Sequence, residues 1–110
     1  MDPLTRVERE AVHILLERIR HELHSARVSA TVFGSRARGE GDPESDLDLL
    51  VVLERDDFET RQRVFDLAYE VYLETDVMIA PLVMSQEALD TLRQSGRRLA
   101  REIERDGVPV

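Results

Sequence analysis

Val32-Phe-Gly-Ser-Arg-Ala-Arg-Gly-Glu-Gly-Asp-Pro-Glu-Ser-Asp-Leu-Asp-Leu-Leu-Val-Val-Leu53 is the stretch that decides how this chain is read. An apolar run ends at Phe33, a Gly34-Ser35 turn and a polar loop follow, and a second apolar run opens on Asp46 and Asp48. Successive strand residues point to opposite faces, so residues i and i+2 share one. The two carboxylates therefore stand side by side, while Leu47 and Leu49 turn the other way into a core. Adjacent anions repel unless a cation lies between them, and oxygen-only donors suit a hard divalent ion such as Mg2+. A metal-dependent phosphate site is the first reading.

Working outward, residues 3–24 read as a helix. Pro3 suits its first turn, and Val7, Ala11, Ile14, Leu15, Ile19 and Leu23 follow a 3.6-residue stripe. Residues 27–33 alternate as a strand that Gly34 ends, and Leu47 to Leu53 is apolar enough for a strand covered on both faces. Asp56 or Asp57 caps a helix to about Glu74, with Phe58, Phe65, Leu67, Ala68, Val71 and Tyr72 as its expected buried side. Asp76–Ala80 is expected to form a third strand stopped by Pro81. Ser85 starts a helix to about Gln94, Gly96 breaks it, and a last helix runs to Asp106, where Gly107 ends it. The order α, β, β, α, β, α, α predicts an α/β fold, a small mixed β-sheet flanked by helices, in a single domain over residues 1–110.

Composition narrows the function classes. A formal net charge of -8 opposes non-specific grip on a nucleic acid backbone, so no strong nucleic-acid binding is expected. The absence of cysteine removes disulfides and thiol chemistry. The longest apolar run, Leu47 to Leu53 broken by Asp48, is far too short for a membrane span, and the N-terminus does not read as a signal peptide. A cytoplasmic protein with no membrane partner is the expectation.

Gly34-Ser35, ten intervening residues and then Asp46-Leu47-Asp48 resemble the nucleotidyltransferase superfamily typified by DNA polymerase beta. The wording Phe-Gly-Ser-Arg-Ala-Arg-Gly and Ser-Asp-Leu-Asp-Leu-Leu-Val is most similar to the minimal nucleotidyltransferases, known as MNT antitoxins, which are commonly paired with a HEPN-domain protein. Chain length, element order and the closing Glu104-Arg105-Asp106-Gly107 fit the same resemblance. It implies the polymerase beta-like fold, with ATP as substrate and Mg2+ or Mn2+ as cofactor. It also implies transfer of AMP to a tyrosine of a cognate HEPN toxin. By that resemblance Asp46, Asp48 and Asp76 are the catalytic, metal-binding carboxylates. Asp76 is matched by its place in the element order, as the acid that activates the attacking hydroxyl and shares one metal. The three are expected to converge on one face of the sheet.

Each remaining residue also has a physical reading. Gly34 permits a sharp turn and close approach of a phosphate. Ser35 offers a hydroxyl and a backbone N–H at a helix start, an anion site. Arg38 lies inside the family-like wording and joins Gly34 and Ser35 as a nucleotide-binding candidate; Arg36 reads equally well as a solvated loop residue. His21-x-x-His24 has metal-ligand spacing, but no third ligand is near and His13 does not supply one, so all three read as surface histidines. Arg97, Arg101 and Arg105 recur at i, i+4, where like charges oppose each other; they read first as a solvated face shared with Glu102 and Glu104, with a nucleotide phosphate or an acidic partner as the other anionic neighbours. Tyr69 and Tyr72 read as core and interface residues. Two other functions stay open: a non-catalytic antitoxin that neutralises a HEPN partner by contact, and adenylylation of a small molecule.

Overall fold

A computed structural model describes residues 2–25, 27–40 and 45–110. Helix α1, Arg6–Glu22, begins at a capping box in which Thr5 Oγ1 accepts from the Glu8 N–H at 3.1 Å and Glu8 Oε1 accepts from the Thr5 N–H at 2.8 Å. That reciprocal cap satisfies two otherwise orphaned donors and starts the helix later than Pro3. Strand β1, Ser29–Phe33, leads into a single helical turn α2, Gly34–Ala37, and then into strand β2, Leu47–Leu53. Helix α3, Phe58–Thr75, is capped by Asp57, and strand β3 spans Ile79–Ser85. Helices α4, Gln86–Gln94, and α5, Arg98–Asp106, precede a two-residue strand β4, Val108–Pro109.

The sheet order is β3-β2-β1-β4. β2 runs antiparallel to β1, with Phe33 opposite Asp48, and parallel to β3, with Asp48 opposite Ala80. The fold is thus α/β around a small mixed sheet, as the residue pattern predicts. One face carries Leu47, Leu49, Val51 and Leu53 into a core with Leu15 and Ile19 of α1 and Val64, Leu67 and Val71 of α3. The other face carries Leu50 and Phe33 against Leu89 of α4 and Ile103 of α5. By the period of two, Asp48 belongs to this second face, while Asp46 lies one residue before β2 begins.

Three expectations change. β3 begins at Ile79 rather than Asp76, because Asp76 is spent on the turn that ends α3: it is the helix C-cap, at φ 64°, with its N–H donated to the Tyr72 carbonyl at 2.8 Å. Aspartate tolerates this left-handed region better than most side chains. Pro81 does not stop β3 but lies buried within it; β3 is an edge strand, where half of the N–H groups point away from the ladder. Phe58 and Phe65 are not core residues, being 78% and 50% exposed, and Tyr72 is only partly buried. The aliphatic stripe Val64, Leu67, Ala68 and Val71 alone covers the sheet, leaving the aromatics on a flank.

β4, which the sequence reading lacks, pairs with β1 through Val32 and Val108 and brings the C-terminal segment against the strand that leads to Gly34. The corner before it has no room for a side chain. A Cβ on Gly107 would lie 2.3 Å from the Ile103 carbonyl oxygen and 2.7 Å from Thr31 Cγ2. Gly107→Ala is therefore expected to displace β4 and lower stability by about 1–3 kcal/mol, read as a lower midpoint in urea denaturation.

Candidate active site

The site is built where β1 ends beside the start of β2. Gly34 takes φ 76°, a backbone conformation that side chains resist. It also has no space to spare: a Cβ there would lie 2.5 Å from Asp48 Oδ2. The Asp48 carboxylate is thus packed against the Gly34 backbone, with Ser35 the next residue along. Asp48 is partly buried and Asp46 is exposed. Burial first, and the charge of Asp46 second, raise the Asp48 pKa above the ordinary aspartate value of 3.8. The pair is therefore under the electrostatic stress that a bound cation relieves.

Asp46 also lines a cavity of about 560 Å³ with Asp76, Tyr72, Thr75, Met78 and Thr5. Asp76 is exposed at the end of α3, and Asp48 is not part of this cavity wall. Among the described residues no three acidic or histidine side chains come together closely enough to hold a metal ion. The expected convergence of Asp46, Asp48 and Asp76 is not found. The structure gives a coupled pair, and a third carboxylate that meets Asp46 across a cavity, because the left-handed cap holds Asp76 off the β3 ladder.

Residues 13–103 match the family model described as a nucleotidyltransferase domain. The chain belongs to the nucleotidyltransferase domain family. It is also similar to a protein of Methanocaldococcus jannaschii named "Putative protein adenylyltransferase MJ0141", with 32% identity over 80 residues, covering 72% of this chain and 74% of that one. The chain is therefore an enzyme, a nucleotidyltransferase. The oxygen donors of Asp46 and Asp48 are of the kind that suits a hard divalent cation, and phosphate and water oxygens would have to complete such a set.

Two further devices in this nucleotidyltransferase act on the described residues just after Gly34 and just before Asp46. Arg36, read from sequence as a possible solvated residue, is buried and pairs with the buried Glu8 of α1. Its guanidinium also donates to the Ser45 carbonyl at 3.3 Å, one residue before Asp46. Burial alone would raise the Glu8 pKa, but the Thr5 N–H and Arg36 outweigh it and hold the carboxyl below its ordinary value. The motif Thr5-x-x-Glu8 is legible as a capping box; its second bond to Arg36 has no local signal. Arg38 lies between Glu40 at 3.1 Å and Asp106 at 3.6 Å, and Asp106 also pairs with Arg105 at 2.9 Å. Asp106 was not singled out by its spacing, although it steers the candidate phosphate-binding Arg38 from the end of α5.

Two outcomes follow from these charges. A carboxyl whose folded pKa is raised stabilises the fold fully below its unfolded value and loses that contribution as pH rises through the folded value. Asp48→Asn should therefore raise the melting temperature at neutral pH, with the difference from wild type shrinking as pH falls toward 3.8. Arg36→Met should cost about 3–5 kcal/mol, because it leaves Glu8 charged and buried. Glu8→Leu combined with Arg36→Met should cost far less than the sum of the single changes, measured as a double-mutant cycle in urea.

Proposed function

We propose that this nucleotidyltransferase transfers AMP from ATP to a protein hydroxyl, with Mg2+ or Mn2+ as cofactor. We place it as the antitoxin of a HEPN-type partner whose tyrosine is the acceptor. The observation that carries the reading is the Asp48 carboxylate packed against the side-chain-free Gly34 turn, beside Asp46. A phosphate chain reaching that turn meets backbone N–H groups of a helical turn on one side and the carboxylate pair on the other. The name of the archaeal relative supports a protein acceptor. The resemblance of Gly34-Ser35 and Asp46-Leu47-Asp48 to the MNT antitoxins supports the partner class.

The roles follow from position. Ser35 offers its hydroxyl and N–H, and Arg38, held by Glu40 and Asp106, offers positive charge to the phosphates. Divalent metal, when bound, neutralises charge that builds on the phosphates. The acceptor oxygen forms a bond to the α-phosphorus, the bond from that phosphorus to the bridging oxygen breaks, and pyrophosphate leaves. Asp76 shares the cavity with Asp46 but not with Asp48, which suits its carboxylate oxygen to accept the hydroxyl proton rather than to bind metal.

Asp46→Asn combined with Asp48→Asn should lower transfer of label from α-32P-ATP to a co-expressed HEPN protein by more than about 10²-fold, while the fold is retained. Wild type should gain about 2.7 kcal/mol of stability at a hundredfold excess of metal–ATP over its dissociation constant, and the variant should not. A double variant that labels at the wild-type rate overturns the reading. One that labels nothing yet protects cells as wild type does returns the function to a non-catalytic antitoxin.

A further inference from the structure

The chain has five aromatic residues, and four of them, Phe58, Phe65, Tyr69 and Tyr72, lie on α3. At 3.6 residues per turn these four fall within roughly 60° of arc, and Leu73 extends the arc to about 100°. Phe58, Phe65, Tyr69 and Leu73 are 78%, 50%, 56% and 66% exposed. The Tyr69 and Tyr72 rings are 6.2 Å apart. Arg63 and Glu74, which pair with Glu22 and Arg18 of α1, leave α3 from the other side. The aromatic flank therefore faces away from α1, and neither core of the sheet uses it.

Two properties of this flank say what covers it. It is continuous with the candidate site, since Tyr72 at its end is a wall of the cavity that holds Asp46 and Asp76. Its edge nearer α1 is also acidic: Glu59, Asp66 and Glu70 follow one another along α3 beside the apolar arc, and none makes an ion pair among the described residues, while Arg61 on the opposite edge is paired with Asp56 at 3.8 Å. A second copy of this chain, at net charge -8, would bring the same acidic ridge against itself. A cationic surface with an apolar centre is complementary to both features.

We infer that the aromatic flank of α3 is the docking surface for the acceptor protein, which meets it with apolar side chains ringed by lysine or arginine and so delivers its hydroxyl into the cavity between Asp46 and Asp76. The inference rests on the protein-adenylylation reading above. Exposed aromatic clusters of this kind supply anchors in protein interfaces, and an acidic rim speeds encounter with a cationic partner.

The test compares wild type with Phe65→Ser plus Tyr69→Ser, and separately with Asp66→Lys plus Glu70→Lys. These positions are exposed, so circular dichroism and Mg–ATP binding by calorimetry should match wild type. Label from α-32P-ATP is followed into the proteins of an extract of the source cells, at low and high salt. The expected result is one or a few labelled bands that weaken about tenfold or more with either variant and with rising salt. Equal labelling by the aromatic variant overturns the docking surface while leaving adenylylation intact. Labelling that ignores both charge reversal and salt overturns the cationic partner. A wild-type dimer that the aromatic change dissociates, in light scattering, assigns the flank to a second copy. No labelled protein with wild type, although Mg–ATP binds, removes the protein-adenylylation reading and this inference with it.

Discussion

Two like charges one pleat apart, at the mouth of a strand that is otherwise apolar, are the constraint on which this structure depends. Asp46 and Asp48 repel, and Asp48 is partly out of water. At a partly solvated site that repulsion is at most a few kcal/mol. Burial of Leu47, Leu49, Leu50, Val51 and Leu53 contributes about 1.5–3 kcal/mol for each side chain, several times more in all. A one-residue slip of β2 would relieve the carboxylates only by sending leucines to the site and the acids into the core against α1 and α3. Register and charge placement are therefore one decision, and the hydrophobic core makes it.

Holding the strand in register does not by itself hold the turn that faces it. Gly34 brings its backbone against Asp48 Oδ2, and anything bulkier would push the two apart. The Arg36 guanidinium then joins Glu8 on α1 to the Ser45 carbonyl, so both ends of the loop between Gly34 and Asp46 are tied to one buried ion pair. Buried pairs add little net stability over apolar substitutes, since desolvation cancels most of the attraction. The gain here is positional: the pair sets where Asp46 begins relative to the Gly34 turn. On the far side, β4 pairs with β1, and Asp106 at the end of α5 steers Arg38. The last residues of the chain thus bear on the site made by the middle ones.

What was legible in the sequence was whatever a short period or a local motif encodes. The strand alternation from Leu47 through Asp48 to Leu53, the Gly34 turn, the Ser85 cap and the Gly107 stop all appear where the pattern puts them. Asp76 reads as a strand start because a helix C-cap and a strand start look alike when an aspartate precedes Val77 and Ile79; only the left-handed φ tells them apart. Hydrophobicity alone points the aromatics of α3 inward, but the arc facing the sheet has room only for Val64, Leu67, Ala68 and Val71. Glu8–Arg36 and Arg38–Asp106 join residues far apart in sequence, and no spacing rule reaches them.

The placement of the aromatics changes how a domain this small can work. Its own cleft is divided: Asp48 on the α4 and α5 face of the sheet, and a cavity at the end of α3 where Asp46 meets Asp76. Little in it can grip a hydroxyl-bearing side chain tightly. Transfer to a hydroxyl nevertheless requires the oxygen to be held in line with the breaking bond, and orientation of that kind is worth many kcal/mol of barrier. Contacts remote from the reacting atoms can supply it, provided the bound partner is rigid and the surface leads to the site. The α3 flank satisfies the second condition through Tyr72, which belongs to the aromatic arc and to the cavity wall alike. On the proposed reading, recognition lies on the helix and chemistry on the strand, joined at one end.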